Sequence, residues 1–151
     1  MHLPIEKVDD RAIIPEYSHS LDSGFDLHAF LPDSPPVPLV AGEPRMIRTG
    51  IRIGIPPGYE IQVRSRSGLA ADHGIAVLNS PGTVDAGYRG EIKVILGRFE
   101  YETDAYTPSV EHGDRIAQAV LTPVATPEIE EVEQLQDTTE RGADGFGSTG
   151  T

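Results

Sequence analysis

Proline and glycine, 13 of one and 16 of the other in 151 positions, fall in clusters that punctuate this chain roughly every eight to twelve residues. Proline lacks a backbone donor and fixes φ, and glycine costs a helix about 1 kcal/mol relative to alanine, so long helices are excluded. What lies between the interruptions is short and β-prone: Met46–Ile47, Ile51–Ile55, Tyr59–Val63, Ile75–Val77, Ile92–Leu96, Ile116–Leu121 and Ile129–Leu135. Apolar side chains alternate with a period of two in Ile51-Arg-Ile-Gly-Ile55 and in Ile92-Lys-Val-Ile-Leu96, the pattern of strands with one buried face. One short helix is expected near Ser67–Asp72, ending before Gly74. Glu128–Asp137 carries Ile129, Val132 and Leu135 at a spacing that also suits a helix; it is read as an extended strand because it follows two Pro-terminated turns. The expectation is an all-β sandwich or barrel with one short helix.

A chain of this length makes one domain that buries roughly two-thirds of its unfolded surface. Hydrophobic residues make up only 38% of it, which leaves room for apolar surface to be buried between subunits. The absence of cysteine excludes disulfides, thiolate metal sites and cysteine nucleophiles, and fits a reducing compartment. The N-terminal MHLPIEKVDD has no apolar run suited to a signal peptide, and no stretch approaches the ~20 apolar residues of a membrane span. The reading is a soluble, cytoplasmic protein. The formal charge of −12, from 24 acidic and 12 basic residues, argues against binding a nucleic-acid backbone. Any phosphate site must gather its few cations locally. The five histidines are scattered, so a zinc site is not expected.

Five segments carry candidate chemistry. Arg64-Ser-Arg-Ser-Gly-Leu-Ala70 puts a guanidinium, a hydroxyl and a glycine amide at the start of the expected helix, where unpaired N–H groups suit phosphate; the plain structural alternative is an N-cap serine beside solvated arginines. Asn79 through Lys93 reads as a β-hairpin with a Gly-rich tip, holding Asp85 as an ionised carboxylate and Tyr88 three residues on. Its exposed backbone could read a base edge as another strand would. In Gly113-Asp-Arg-Ile-Ala-Gln118, the Asp114–Arg115 pair reads as a surface ion pair, and Gln118 is an amide on an apolar strand that needs a partner. Ser23-Gly-Phe-Asp-Leu27 sets Asp26 between apolar neighbours, where an acid most often pairs with an arginine. The tail, Arg141 through Thr151, holds four glycines, Phe146, Ser148 and Thr149. It has little apolar area to offset its ordering entropy, so it reads as a lid over a nucleotide or as a frayed end.

In this order and spacing, the five segments together closely resemble the trimeric deoxyuridine triphosphate nucleotidohydrolases, the dUTPases. The matches are Ser23-Gly-Phe-Asp-Leu-His-Ala29, Arg66-Ser-Gly-Leu-Ala70, Asn79 through Leu96, Gly113-Asp-Arg-Ile-Ala-Gln118 and the tail, spanning Ser23 to Gly150. The resemblance implies a distorted β-barrel or jelly-roll subunit (a β-clip) over 1–136 and a flexible lid over 137–151. It further implies a homotrimer whose three sites each draw on all three chains, and hydrolysis of dUTP to dUMP and pyrophosphate assisted by Mg2+. It makes Asp85 the base that deprotonates the attacking water. Phosphates would be held by Arg66, Ser67 and Gly68, with Gln118 in support, and Arg141, Ser148 and Thr149 would close on the γ-phosphate beside Gly147. Asn79, Thr83 and Val84 would match the uracil edge, Tyr88 would lie under the deoxyribose, Phe146 would stack on the base and Lys93 would line the pocket. Asp26 would orient an arginine such as Arg66, or a metal-bound water. The Mg2+ would be held by phosphates and water, with no direct protein ligand assigned.

Two departures and two alternatives accompany this. Asp144 stands where the tail of such enzymes commonly has glycine, which predicts weaker lid closure, and Arg64-Ser65 stands where a proline often precedes Arg66. A dCTP deaminase, possibly bifunctional, shares the fold and would use an acid at the base, for which Glu91 is the nearest candidate. A non-catalytic nucleotide-binding module would be expected to have lost Asp85 or the tail, and both are present.

Overall fold

The computed structural model describes residues 1–99 and 107–135. In chain order its elements are β1 (Ile5–Lys7), β2 (Phe25–His28), β3 (Val37–Pro38), β4 (Arg45–Arg48), β5 (Ile51–Ile53), β6 (Tyr59–Arg64) and α1 (Ser67–His73). There follow β7 (Ile75–Val77), β8 (Gly82–Asp85), β9 (Lys93–Arg98), β10 (Ser109–Val110) and β11 (Arg115–Pro123). The strands form one four-stranded sheet ordered β2-β11-β6-β8, a three-stranded sheet ordered β4-β9-β7, and two two-stranded ribbons, β1-β5 and β3-β10. All pairings are antiparallel. The all-β expectation holds, but among the described residues the sheets do not close into a barrel.

Period-two patterning decides which way each strand faces. In β6, Ile61 and Val63 are buried while Glu60, Gln62 and Arg64 alternate outward; in β9, Val94 and Leu96 point in. These join Leu27, Leu39, Ile47, Ile51 and Ile92 in one core, where each buried aliphatic side chain contributes roughly 1.5–3 kcal/mol. The helix ends where expected. Gly74 takes the left-handed conformation (φ 63°, ψ 17°), and its N–H closes the last turn on the carbonyls of Leu69 and Ala70. A side chain with a Cβ would be strained there, so the chain leaves α1 directly into β7.

Two expectations fail. The strand over Ile129–Leu135 does not form: this stretch is non-strand, and Ile129, Val132 and Leu135 are exposed. No neighbouring strand among the described residues offers it a ladder, and spacing by three cannot keep apolar side chains on one face of a strand. The segment Asn79–Lys93 is also not a hairpin in the pairing sense. Its first arm, β8, pairs with β6, whereas its second, β9, pairs with β4 and β7, so the turn arches from one sheet to the other.

Candidate active site

The outward face of the four-stranded sheet carries four of the chain's candidate groups. Directly paired residues of an antiparallel ladder share a face. The register sets Asp26 opposite Gln118, Gln118 opposite Arg64, Thr83 opposite Gln62 and Asp85 opposite Glu60. Phe25, Leu27, Ile61, Val63, Ala117 and Ala119 occupy the other face and are buried. One strand alternation thus places apolar residues in the core and Asp26, Gln118, Thr83 and Asp85 on a single polar surface.

At the β2 corner of that surface, Arg66 is fixed from two sides. Its Nε donates to Asp26 Oδ1 at 3.0 Å and its Nη1 to the carbonyl of Arg115 at 3.0 Å. Among the described residues its Nη2 has no bond, which leaves one edge of the fork available to an anion. Asp26 also meets Arg115 Nη1 at 3.4 Å. Asp114 and Arg115 therefore do not form the surface pair read from their adjacency; the Asp114 carboxylate instead accepts the Glu111 N–H at 2.7 Å. Arg115 is the residue that sequence reasoning missed, because only the β2–β11 register brings it beside Asp26. His28, two positions along β2, sits in the same cluster. Burial pushes its imidazole below the usual range; Arg115 and Arg66 add to this and Asp26 opposes it, and its buried Nδ1 has no partner among the described residues.

The start of α1 is held without a serine cap. The N-cap position is Arg66, in extended conformation (φ −87°, ψ 131°), and no side chain caps the helix. Ser67 and Gly68 are exposed in the first turn, with nothing standing where a Cβ on Gly68 would lie. Ser65 fixes the entry instead: its Oγ accepts the Val77 N–H at 2.9 Å and its carbonyl accepts Gln118 Nε2 at 3.1 Å. Gln118 thus supports the turn that presents Arg66, Ser67 and Gly68.

At the opposite corner, β8 is the edge strand of the sheet, so its outer N–H and C=O groups have no ladder partner among the described residues. Asn79 lies over Gly82, Thr83 and Asp85 are exposed, and Val84 packs against the core. Tyr88 folds back over the turn, its hydroxyl donating to the Glu91 carbonyl at 3.0 Å. A Cβ on Gly90 would overlap the Tyr88 ring and hydroxyl, so only glycine permits this close approach. Lys93 is exposed at the start of β9, opposite Arg48 in the other sheet. Glu91 is tied up in the fold: its side chain is 12% exposed and accepts both the Gly50 N–H at 2.8 Å and Arg48 Nε at 3.0 Å. That carboxylate is spent on structure and is not displayed toward a base.

The two corners lie far apart within a single chain. From Asp85 to Asp26 the sheet is crossed by three strand spacings of ~4.8 Å and, from the level of Glu60 to that of Arg64, four rises of ~3.3 Å, a diagonal of roughly 19 Å. A base acts within ~2.6–3.2 Å of the proton it takes. The Asp26–Arg66 pair is far outside that reach of Asp85 in the same chain. Arg141, Phe146, Gly147, Ser148 and Thr149, together with Asp144, lie outside the described residues. Among the described residues no group of three or more His, Asp or Glu side chains could hold a metal ion, and no helix is long and apolar enough to cross a membrane.

A model of the dUTPase family matches residues 10–150, which takes in both corners of this face. The chain belongs to the dUTPase family. Relatives similar over their full length include the deoxyuridine 5'-triphosphate nucleotidohydrolase of Nautilia profundicola, 50% identical over 150 residues with 99% of each chain covered. That of Crocosphaera subtropica is 49% identical over 153 residues, again covering 99% of each. Among solved structures, the dUTPase of Staphylococcus bacteriophage 80alpha with dUPNHPP has a TM-score of 0.82 at 29% identity, covering 99% of each chain. The sheets described above are therefore those of the dUTPase fold.

Proposed function

We infer that this chain hydrolyses dUTP to dUMP and pyrophosphate, taking the nucleotide as its Mg2+ complex, in a site assembled from neighbouring copies of a homotrimer. The observation that supports the shared site is the diagonal separation, on one sheet face, of Asp85 from Asp26 and the Arg66 it holds. A base and a phosphate clamp so far apart meet on one substrate only when Asp85 of one copy faces Arg66 of the next. Head-to-tail contacts between copies close into a ring when the rotation between them permits, and a ring of three supplies three such sites.

In this reading Asp85 accepts a proton from water as the water oxygen bonds to the α-phosphorus. The bond from that phosphorus to the bridging oxygen breaks, and pyrophosphate leaves. A positioned base of this kind contributes typically ~10²–10⁴-fold. Arg66, Ser67 and Gly68 of the neighbour hold the phosphates, Asp26 and Arg115 fix the Arg66 fork, and Gln118 fixes the turn. The free edge of β8 and Asn79 match the uracil edge, so cytosine would leave buried donors and acceptors unpaired. Tyr88, folded back against Gly90, packs beneath the deoxyribose where a 2′-hydroxyl would collide. Lys93 lines the pocket. Arg141, Gly147, Ser148 and Thr149 of the tail close on the γ-phosphate and Phe146 covers the base. A Mg2+ ion held by the phosphates would neutralise part of their charge and would need no carboxylate cage of the protein. A cytoplasmic setting fits the absence of cysteine.

Pyrophosphate release measured with dUTP, dCTP, dTTP and UTP side by side, with ammonia assayed in the dCTP arm, tests the reading. The expected result is turnover of dUTP, at most trace turnover of the others, and no ammonia. Asp85→Asn is expected to bind dUTP yet release no pyrophosphate. A fully active Asp85→Asn protein would remove the base from this account.

A further inference from the structure

The outward side of β6 carries three charged or polar residues in a row, and none belongs to the catalytic set described above. They are joined end to end: Arg64 Nη2 donates to Gln62 Oε1 at 2.6 Å, and Gln62 Nε2 donates to Glu60 Oε1 at 2.7 Å. Both faces of the Gln62 amide are thereby used, and the row has two different ends. At one end Arg64 is exposed and has no acid within ion-pair distance among the described residues, with several of its five donors still open. At the other end Glu60 stands directly across from Asp85, two carboxylates side by side on one face. Like charges directly opposed in a sheet are destabilising, and no described cation lies within ion-pair distance of either. One end lacks an anion and the other lacks a cation.

The row also lies where a second copy must pass. It runs between the two half-sites, on the same face of the same sheet, from the level of Asp85 to the level of Asp26 and Gln118. If each active site joins the Asp85 corner of one copy to the Arg66 corner of the next, the surface between the corners is turned toward the neighbours. We propose that β6 is the central seam of the assembly, with Arg64 of one copy paired to Glu60 of the next so that Arg64, Gln62 and Glu60 form a closed ring of hydrogen bonds. The occupant is a further copy of this chain. Each copy carries a net charge of −12, so copies repel one another except where a face neutralises itself, and this row does so with one cation and one anion. The contact is head-to-tail, which is the kind that closes rings. This inference rests on the shared-site reading and adds to it the surface and the charge pair that hold the copies in register.

The test is a charge swap read by mass and by turnover. Arg64→Glu and Glu60→Arg are each expected to shift the mass in sedimentation velocity from three chains toward one and to lower kcat/KM for dUTP at least tenfold. Thermal melting of each variant confirms that the subunit remains folded. The double variant Glu60→Arg with Arg64→Glu restores complementarity and is expected to recover the three-chain mass. Single reversals that keep that mass, or a double variant as dissociated as the singles, would overturn the pairing. Wild-type protein serves as the separate control: active monomers would overturn the shared site itself, whereas a wild-type trimer with trimeric single reversals overturns only the seam.

Discussion

Asp26 offers the sharpest separation between a residue that positions and one that reacts. Its side chain is 17% exposed and holds Arg66 at 3.0 Å and Arg115 at 3.4 Å. The second contact is long and its arginine is 55% exposed, which limits it to under ~1 kcal/mol. The first is a half-buried, charge-assisted bond of about 1.5–3 kcal/mol. Arg66 keeps its other anchor on the Arg115 carbonyl, so Asp26→Ala should loosen the guanidinium without releasing it. If the whole loss is transmitted to substrate, kcat/KM falls by about 10- to 150-fold at 1.36 kcal/mol per decade. With Arg66 in the proposed role of gripping phosphates already present in the bound ground state, most of that loss should appear in KM. Asp26→Asn retains an acceptor for Arg66 Nε and should lose less. The assay is steady-state pyrophosphate release across dUTP concentration, with melting followed in parallel. A variant with lowered melting temperature and unchanged kcat/KM would show the pair to be purely structural. A collapse of kcat at constant KM would move Asp26 into the role assigned to Asp85.

Two further expectations concern neighbouring groups. Gly90→Ala puts a Cβ into the space held by Tyr88, so the ring must swing away; KM for dUTP should rise and the preference for dUTP over UTP should fall about tenfold, while an unchanged preference would dissociate Tyr88 from sugar selection. The His28 imidazole is held below its ordinary 6.5 by burial, so as pH falls below 6.5 the unfolded chain takes up that proton first. The His28 contribution is therefore full above 6.5 and lost as pH falls through the depressed folded value. Melting of the wild type should drop over that window and His28→Gln should flatten the drop; equal slopes would exclude His28 as its source.

The parts legible in the sequence are those where a local signal and the long-range pairing agree. Ile51–Ile53, Tyr59–Arg64, Ile75–Val77, Lys93–Arg98 and Arg115–Pro123 alternate or run apolar between turn residues, and each is a strand. Ser67–His73 stops at Gly74 because the left-handed cap is written into the residue. The two-residue strands Val37–Pro38 and Ser109–Val110 carry too short a pattern, and among the described residues they pair only with each other, about seventy positions apart in the chain. The arch from β8 to β9 was hidden for a related reason: a glycine-rich turn reports that the chain reverses, not which sheet receives each arm. In the site, Asp26, Arg66 and Gln118 were each visible as polar groups in need of partners. Arg115 was not, because its role depends on register. Nor was the Glu60–Gln62–Arg64 row, which looks like an ordinary solvated strand face until the diagonal between Asp85 and Arg66 is drawn.

The central claim is that the catalytic carboxylate and the phosphate clamp of each pocket belong to different copies. Co-expressing Asp85→Asn chains with Arg66→Ala chains, each inactive alone, tests it most directly. Random assembly leaves about one pocket in four with an intact Asp85 from one copy and an intact Arg66 from its neighbour, so about a quarter of wild-type pyrophosphate release should return. Mixed assemblies as inactive as their parents would contradict the claim and place both groups of each pocket on one chain.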